Sequence, residues 1–128
     1  MPSYTSDQIR NVALVGHSGA GKTTLFEALL HAGGTIQAAG SVERGTTVSD
    51  FDPMEKARQH SLNTVIASID HGGIHVNLID TPGYPDFVGE VVAGVSAADA
   101  ALIAVDAAGG VQAGTEAAYP DGMFSGLK

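Results

Sequence analysis

The sequence predicts an α/β domain with a mostly parallel sheet and one antiparallel hairpin. Three observations predict it. An apolar run, Ile9 to Val15, leads directly into a glycine-rich stretch, Gly16-His17-Ser18-Gly19-Ala20-Gly21-Lys22-Thr23-Thr24, and a helical pattern follows at once. Two alternating runs, Ser61 to Asp70 and Ile74 to Ile79, flank the tight connection His71-Gly72-Gly73. A last run, Ala100 to Val105, is apolar on both faces, as a central parallel strand should be. Composition agrees: 44% of residues are hydrophobic and only 5% aromatic, which suits small, tightly packed side chains. The 128 residues amount to one domain at most, long enough to bury a core.

In chain order, residues 1–7 are polar and expected to be loosely held. The first strand covers Ile9 to Val15. After the glycine stretch, Leu25, Ala28, Leu29 and Ala32 recur at helical spacing from Lys22 to Ala32, and Gly33-Gly34 stops the helix. From Gly33 to Gln59 the pattern dissolves into Gly, Ser and Thr with Pro53, and a segment this long inside a compact domain is functional or mobile. Glu55 to His60 could form a helical turn. The hairpin follows, its second strand parallel to the first strand of the chain, with Asp80 at its end. Asp80 to Asp86 is irregular. Phe87 to Ala97 reads as a helix with Phe87, Val91 and Val95 on one face. Gly114 to Ala118 begins another helix, and Tyr119 to Lys128, with Pro120 and several turn formers, does not continue it.

The chemistry lies at two strand ends. Gly16, Gly21, Lys22 and Thr23 fit G-x-x-x-x-G-K-[ST]. Glycines that take positive φ let backbone N–H groups turn inward around an anion, and a helix beginning at Lys22 aims its free N–H groups at the same place. Lys22 would reach the β- and γ-phosphates, and the Thr23 hydroxyl would be a Mg²⁺ ligand. Asp80-Thr81-Pro82-Gly83 fits D-x-x-G at the carboxyl end of a strand, where open α/β sheets bind ligands. Asp80 could hold Mg²⁺ through water, and the Gly83 N–H could approach a γ-phosphate closely. Either stretch alone could be an ordinary turn; a D-x-x-G about sixty residues after a phosphate loop, closing a strand, is a nucleotide signature. The long segment before the hairpin is then a nucleotide-sensing loop, and its Mg²⁺ hydroxyl should be Ser61. The plainer reading of Ser61 is a surface serine. His17 is expected to offer its backbone N–H, and His31, His60, His71 and His75 show no metal-ligand spacing.

Other classes are excluded by composition. The formal net charge of -8 provides no electrostatic footprint for nonspecific nucleic-acid or membrane binding. The absence of Cys rules out disulfides and thiolate metal sites. No apolar run spans a bilayer and no signal peptide opens the chain, so the expected location is cytoplasmic.

These motifs, together with Glu43-Arg44-Gly45-Thr46, Asp50-Phe51, Arg58 and above all DTPGYPDFVGEV from Asp80 to Val91, resemble the GTP-binding domain of translation elongation factor G. The likeness runs from about Ile9 to Ala118 and is closest to the divergent bacterial elongation-factor-G-like branch. It implies a Ras-like P-loop NTPase G domain, GTP/GDP and Mg²⁺ as ligands, and a ribosome-linked GTPase. It assigns the phosphate contacts to Gly16, His17, Ser18, Gly19, Ala20, Gly21, Lys22, Thr23 and Thr24. The metal falls to Thr23, Ser61 and Asp80, γ-phosphate sensing to Asp80 and Gly83, and catalysis to Lys22, Gly83 and Tyr84. Three departures stand out. Gly19 occupies a position usually held by Asp, and Ser61 closes Arg58-Gln59-His60-Ser61 where the family ends in Thr. Tyr84 stands where a His usually orients the attacking water. A phenol with pKa about 10 is a poorer partner for water than imidazole near neutrality, so hydrolysis should be slow or strongly partner-dependent.

No N-K-x-D tetrapeptide occurs, so guanine selectivity is not encoded in these residues. The expectation is a partial G domain, incomplete at the C-terminus, with an atypical tail over 119–128 and Ala100 to Val105 as an uncovered edge strand. Two other readings stay open. One is a truncated nucleotide-binding switch or inactive remnant without hydrolysis; the other is a P-loop ATPase or kinase of another family, which the hairpin argues against.

Overall fold

The computed structural model describes residues 3–41, 44, 46–48, 64–83 and 88–117. A 3-10 turn, Ser6–Gln8, precedes β1 (Ile9–Val15) and α1 (Lys22–Ala32). Then come β2 (Val65–His71), β3 (Ile74–Asp80), α2 (Val88–Ser96), β4 (Ala100–Ile103) and α3 (Ala113–Ala117). The four strands form one sheet in the order β2-β3-β1-β4. β1 runs parallel to both β3 and β4, and β2 is antiparallel to β3. This is the mostly parallel sheet with a single hairpin that the alternation and the glycine connection predicted. Gly72 and Gly73 turn the hairpin with φ of +58° and +79°, the positive pair that a two-residue connection requires.

β1 is central because its side chains have somewhere apolar to go on both faces. Ala13 and Val15 face one way with Ile79, covered by Val91 and Val95 of α2. Leu14 and Leu78 face the other way, covered by Phe26 and Leu30 of α1. Leu14, Phe26 and Leu30 have no exposed surface at all. The helices thus lie on opposite faces of the sheet. α2 buries Val91 and Val95 as its spacing predicts, but α1 turns Phe26 and Leu30 into the core, leaving Leu25 and Leu29 half-buried and Ala28 and Ala32 exposed.

Boundaries differ from expectation in small ways. β2 extends through His71, paired with Ile74. Residues 61–63, expected in the same strand, fall outside the described set, as do the turn expected over 55–60, Phe87 at the start of the expected helix, and the tail over 119–128. β4 stops at Ile103 rather than Val105. Its partner explains this: the Ala104 N–H still donates to the Val15 carbonyl at 2.8 Å, but β1 has by then turned into the glycine stretch. A Cβ on Gly16 would stand only 2.3 Å from the Ala104 carbonyl oxygen. Among the described residues β4 is an edge of the sheet, with Leu102, Ile103 and Val105 exposed. Also among them, no helix is long and apolar enough to cross a membrane.

The α1 face rests most heavily on Phe26. Phe26→Ala should lower the unfolding free energy by about 3–5 kcal/mol, read as a shifted midpoint in urea denaturation. An unchanged midpoint would contradict the placement of α1 against Leu14 and Leu78.

Candidate nucleotide-binding site

Parallel pairing decides what meets at the carboxyl end of the sheet. Leu14 of β1 is level with Asp80 of β3. The chain leaving β1 therefore enters the glycine stretch beside the chain leaving β3. Thr81 fastens the two exits: its hydroxyl donates to the Leu14 carbonyl at 2.7 Å, in a fully buried position, and its N–H donates to the same oxygen at 3.3 Å.

The stretch folds as a loop ending in Gly21, the N-cap of α1, at φ +89° and ψ +17°. A left-handed N-cap strains any side chain, and it turns the first N–H groups of α1 back over the loop. The Leu25 N–H reaches the Gly21 carbonyl at 2.8 Å and starts the helix. Lys22 is only 6% exposed. Its Nζ donates to the His17 carbonyl at 2.9 Å, which folds the side chain back over the loop. Burial lowers the Lys22 pKa below the ordinary lysine value, and the Asp80 carboxylate opposes that shift only in part.

Asp80 is fully buried. The Thr23 hydroxyl donates to its Oδ2 at 2.7 Å, so a residue of the loop helix and one of β3 present oxygens to the same point. Gly83 lies across the loop. Its carbonyl accepts the Ser18 N–H at 3.0 Å, and a Cβ there would come within 2.5 Å of both Lys22 Nζ and the Ser18 nitrogen. Only glycine permits this approach.

The structure thus brings Lys22, Thr23, Asp80 and Gly83 together, with Gly16 to Ala20 forming the loop and Thr24 exposed on the first turn of α1. Ser61 and Tyr84 lie outside the described residues. Two contacts go beyond the motifs. The His17 imidazole accepts the Gly114 N–H on Nδ1 at 3.1 Å, so its ring ties the loop to α3 as well as contributing backbone. Glu27, one turn beyond Thr23, is 1% exposed and accepts backbone N–H groups from Gly40 and Val48. A charged residue between the core positions Phe26 and Leu30 was the available signal for Glu27; Gly114 left none.

An anion in this loop would favour the charged form of Lys22, so binding takes up protons as pH rises toward the lowered pKa of the free site. The affinity for a nucleoside diphosphate should therefore weaken at alkaline pH earlier than an ordinary lysine would dictate. Lys22→Arg should flatten that limb, since guanidinium does not titrate there. A calorimetric affinity series from neutral pH to about 10 measures it; a flat profile for the unsubstituted chain would separate Lys22 from the anion. For folding the sign is opposite: below the lowered pKa the buried ammonium costs stability, and the cost is relieved above it.

Known proteins resemble this chain over most of its length. The family model described as the elongation factor Tu GTP-binding domain matches residues 7–120. An elongation factor G-like protein of Mycobacterium tuberculosis is 52% identical over 113 residues, covering 88% of this chain and 16% of the relative. Mitochondrial ribosome-releasing factor 2 of Yarrowia lipolytica is 37% identical over 123 residues, covering 96% of this chain and 15% of the relative. A crystal structure of a protein from Thermus thermophilus superimposes with a TM-score of 0.84 at 52% identity, covering 88% of this chain and 17% of that one. The chain thus spans about one-sixth of the length of these relatives. It belongs to the elongation factor Tu GTP-binding domain family, and its fold is that of a translational GTPase G domain.

Proposed function

We propose that this chain binds GTP and GDP with Mg²⁺, and that it serves the hydrolysis of GTP to GDP and phosphate in a cytoplasmic, elongation-factor-G-like protein acting with the ribosome. The observation that carries the reading is the convergence of Lys22, Thr23, Asp80 and Gly83 on one loop at the carboxyl end of the sheet. Relatives described as an elongation factor G-like protein and a ribosome-releasing factor support the link to translation.

The donor set suits Mg²⁺. Thr23 and Asp80 supply a hydroxyl and a carboxylate oxygen already 2.7 Å apart, and this ion takes one or two protein oxygens beside phosphate and water. Among the described residues no group of three or more His, Cys, Asp or Glu could hold a metal by itself. Thr23 and Asp80 would hold the ion, with Ser61 as the further hydroxyl. When bound, it neutralises charge on the β- and γ-phosphate oxygens.

The chain's own residues do the rest. Loop N–H groups from Gly16 to Thr24 fix the polyphosphate, and Lys22 leaves the His17 carbonyl to place its ammonium on the β/γ oxygens. Gly83 approaches the γ-phosphate through its N–H. Tyr84 orients the attacking water through its phenol oxygen. Water adds to the γ-phosphorus as the bond to the bridging oxygen breaks, and most of the rate comes from positioning and from charge.

Labelled GTP, GDP and ATP titrated with and without Mg²⁺ test the reading. GTP and GDP should bind with preference over ATP and with Mg²⁺ dependence for the triphosphate. Preference for ATP, or no binding, would overturn it. The second reading, a nucleotide-binding switch without hydrolysis, is favoured by the sequence, which has Tyr84 directly after Gly83 where the resemblance leads to an expected His. Tyr84→His should raise single-turnover hydrolysis about tenfold or more; no gain would remove Tyr84 from the chemistry.

A further inference from the structure

The proposed chemistry takes only backbone groups from His17, yet its side chain has a defined partner. The imidazole is half-buried, and its Nδ1 accepts the Gly114 N–H at 3.1 Å. A neutral ring that accepts on Nδ1 carries its proton on Nε2. The Gly114 end of this bond is itself fixed. The Thr115 and Glu116 N–H groups donate to the Gln112 carbonyl at 2.8 and 3.0 Å, and the Thr115 hydroxyl accepts the Gln112 N–H at 3.4 Å. Thr115 is buried. A Cβ on Gly114 would stand 2.8 Å from His17 Cα, so the first turn of α3 lies directly against the loop backbone.

The peptide that follows the ring is engaged at both ends. The His17 carbonyl accepts Lys22 Nζ at 2.9 Å and the Ala20 N–H at 3.2 Å. The Ser18 N–H donates to the Gly83 carbonyl at 3.0 Å. That carbonyl and that N–H belong to one planar unit, so rotating it breaks all three bonds together. The ring hangs from the same residue by a short stem. Its bond to Gly114 therefore fixes one end of the unit whose orientation decides where Lys22 and Ala20 are held.

We propose that His17 is a positioning residue for the nucleotide's phosphates: through Nδ1 it ties the His17–Ser18 peptide to the first turn of α3, and so sets the point from which Lys22 reaches them. The tie rests on the GTP-binding reading above. The ring acts through the peptide and touches no phosphate. A loop already held in shape binds its ligand at a lower ordering cost than one the ligand must arrange. The loop serves phosphates that GDP and GTP share, so the contribution is equal for the two nucleotides.

The test measures the affinities of GDP and of a non-hydrolysable GTP analogue, with Mg²⁺, in the unsubstituted chain, His17→Ala and His17→Asn. Alanine removes the acceptor, whereas the asparagine amide oxygen stands at about the place of Nδ1 and accepts there. His17→Ala should weaken both nucleotides at least about threefold and by equal factors, and His17→Asn should return both to within about twofold. A ring needed only for its bulk would not be replaced by the smaller amide. No loss in His17→Ala, no recovery in His17→Asn, or a loss confined to the triphosphate overturns the tie alone. A second measurement needs no substitution and so covers variants that fail to fold. Nitrogen-15 spectra of the unsubstituted chain at alkaline pH should show the His17 proton on Nε2, with Nδ1 coupled to the Gly114 amide proton. A proton on Nδ1 overturns the tie. If those spectra are as expected but the unsubstituted chain binds neither nucleotide, the GTP reading fails and takes the positioning role with it.

Discussion

The parallel pairing of β1 with β3, and its register, is the constraint on which the rest of the structure depends. Because Leu14 stands opposite Asp80, the two strands end together, and the glycine-rich loop and the D-x-x-G segment start from neighbouring points. The buried Thr81 hydroxyl on the Leu14 carbonyl keeps them there beyond the last ladder bond. A parallel register cannot slip by one residue here without turning Ala13 and Val15 toward Phe26 and Leu14 toward Val91. The apolar packing on both faces therefore enforces the position of a carboxylate that takes no part in that packing. A hydrophobic pattern thus determines the placement of charges several residues away.

That placement has an electrostatic cost which the local contacts offset. An ammonium and a carboxylate are both taken out of water, and burial alone would disfavour both charges. Lys22 finds the His17 carbonyl, and Asp80 finds the Thr23 hydroxyl. The Ser18 N–H finds the Gly83 carbonyl. Each of these partners is a group that a phosphate or a cation could replace. Loop closure on itself therefore engages the Lys22 ammonium and the Ser18 N–H, donors that an anionic ligand could also take. The lowered pKa of Lys22 is the residual cost, and a bound anion would remove it.

The sheet is legible in the sequence because its signals are local. The period-two alternation from Val65 and Ile74, the glycine pair at the turn, and the two-faced apolar run at Ala100 each define an element from adjacent residues. The glycine-rich loop is legible for the same reason, since Gly21 caps α1 in a left-handed conformation and Lys22 follows it. The meeting of Thr23 with Asp80 is readable only through the motif, because no spacing along the chain encodes a contact between residues so far apart. The role of the His17 imidazole is not legible, because its partner is a backbone N–H at Gly114, and a backbone donor carries no sequence signature. The apolar run makes β4 look two residues too long, because that character continues past the point where β1 has turned away and no partner remains.

Glycine placement follows from the same crowding. Three chain segments cross at the mouth of the loop: His17 and Ser18, Gly83, and Gly114. A Cβ on Gly83 would meet Lys22 and Ser18, and one on Gly114 would stand 2.6 Å from the Gly83 carbonyl oxygen and 2.7 Å from His17 Nδ1. Backbone thus comes close to backbone at this crossing, with the Lys22 ammonium and the His17 ring packed into it. A shift of Gly83 toward a phosphate would be felt directly at Gly114 and, through the His17 ring, in the loop itself. Such tight packing transmits small displacements because it cannot compress. The crossing therefore links the site to α3 by contact alone, without a separate hinge. Glu27 makes a second link, so that one helix, α1, begins at the glycine-rich loop and one turn later holds the Gly40 and Val48 N–H groups.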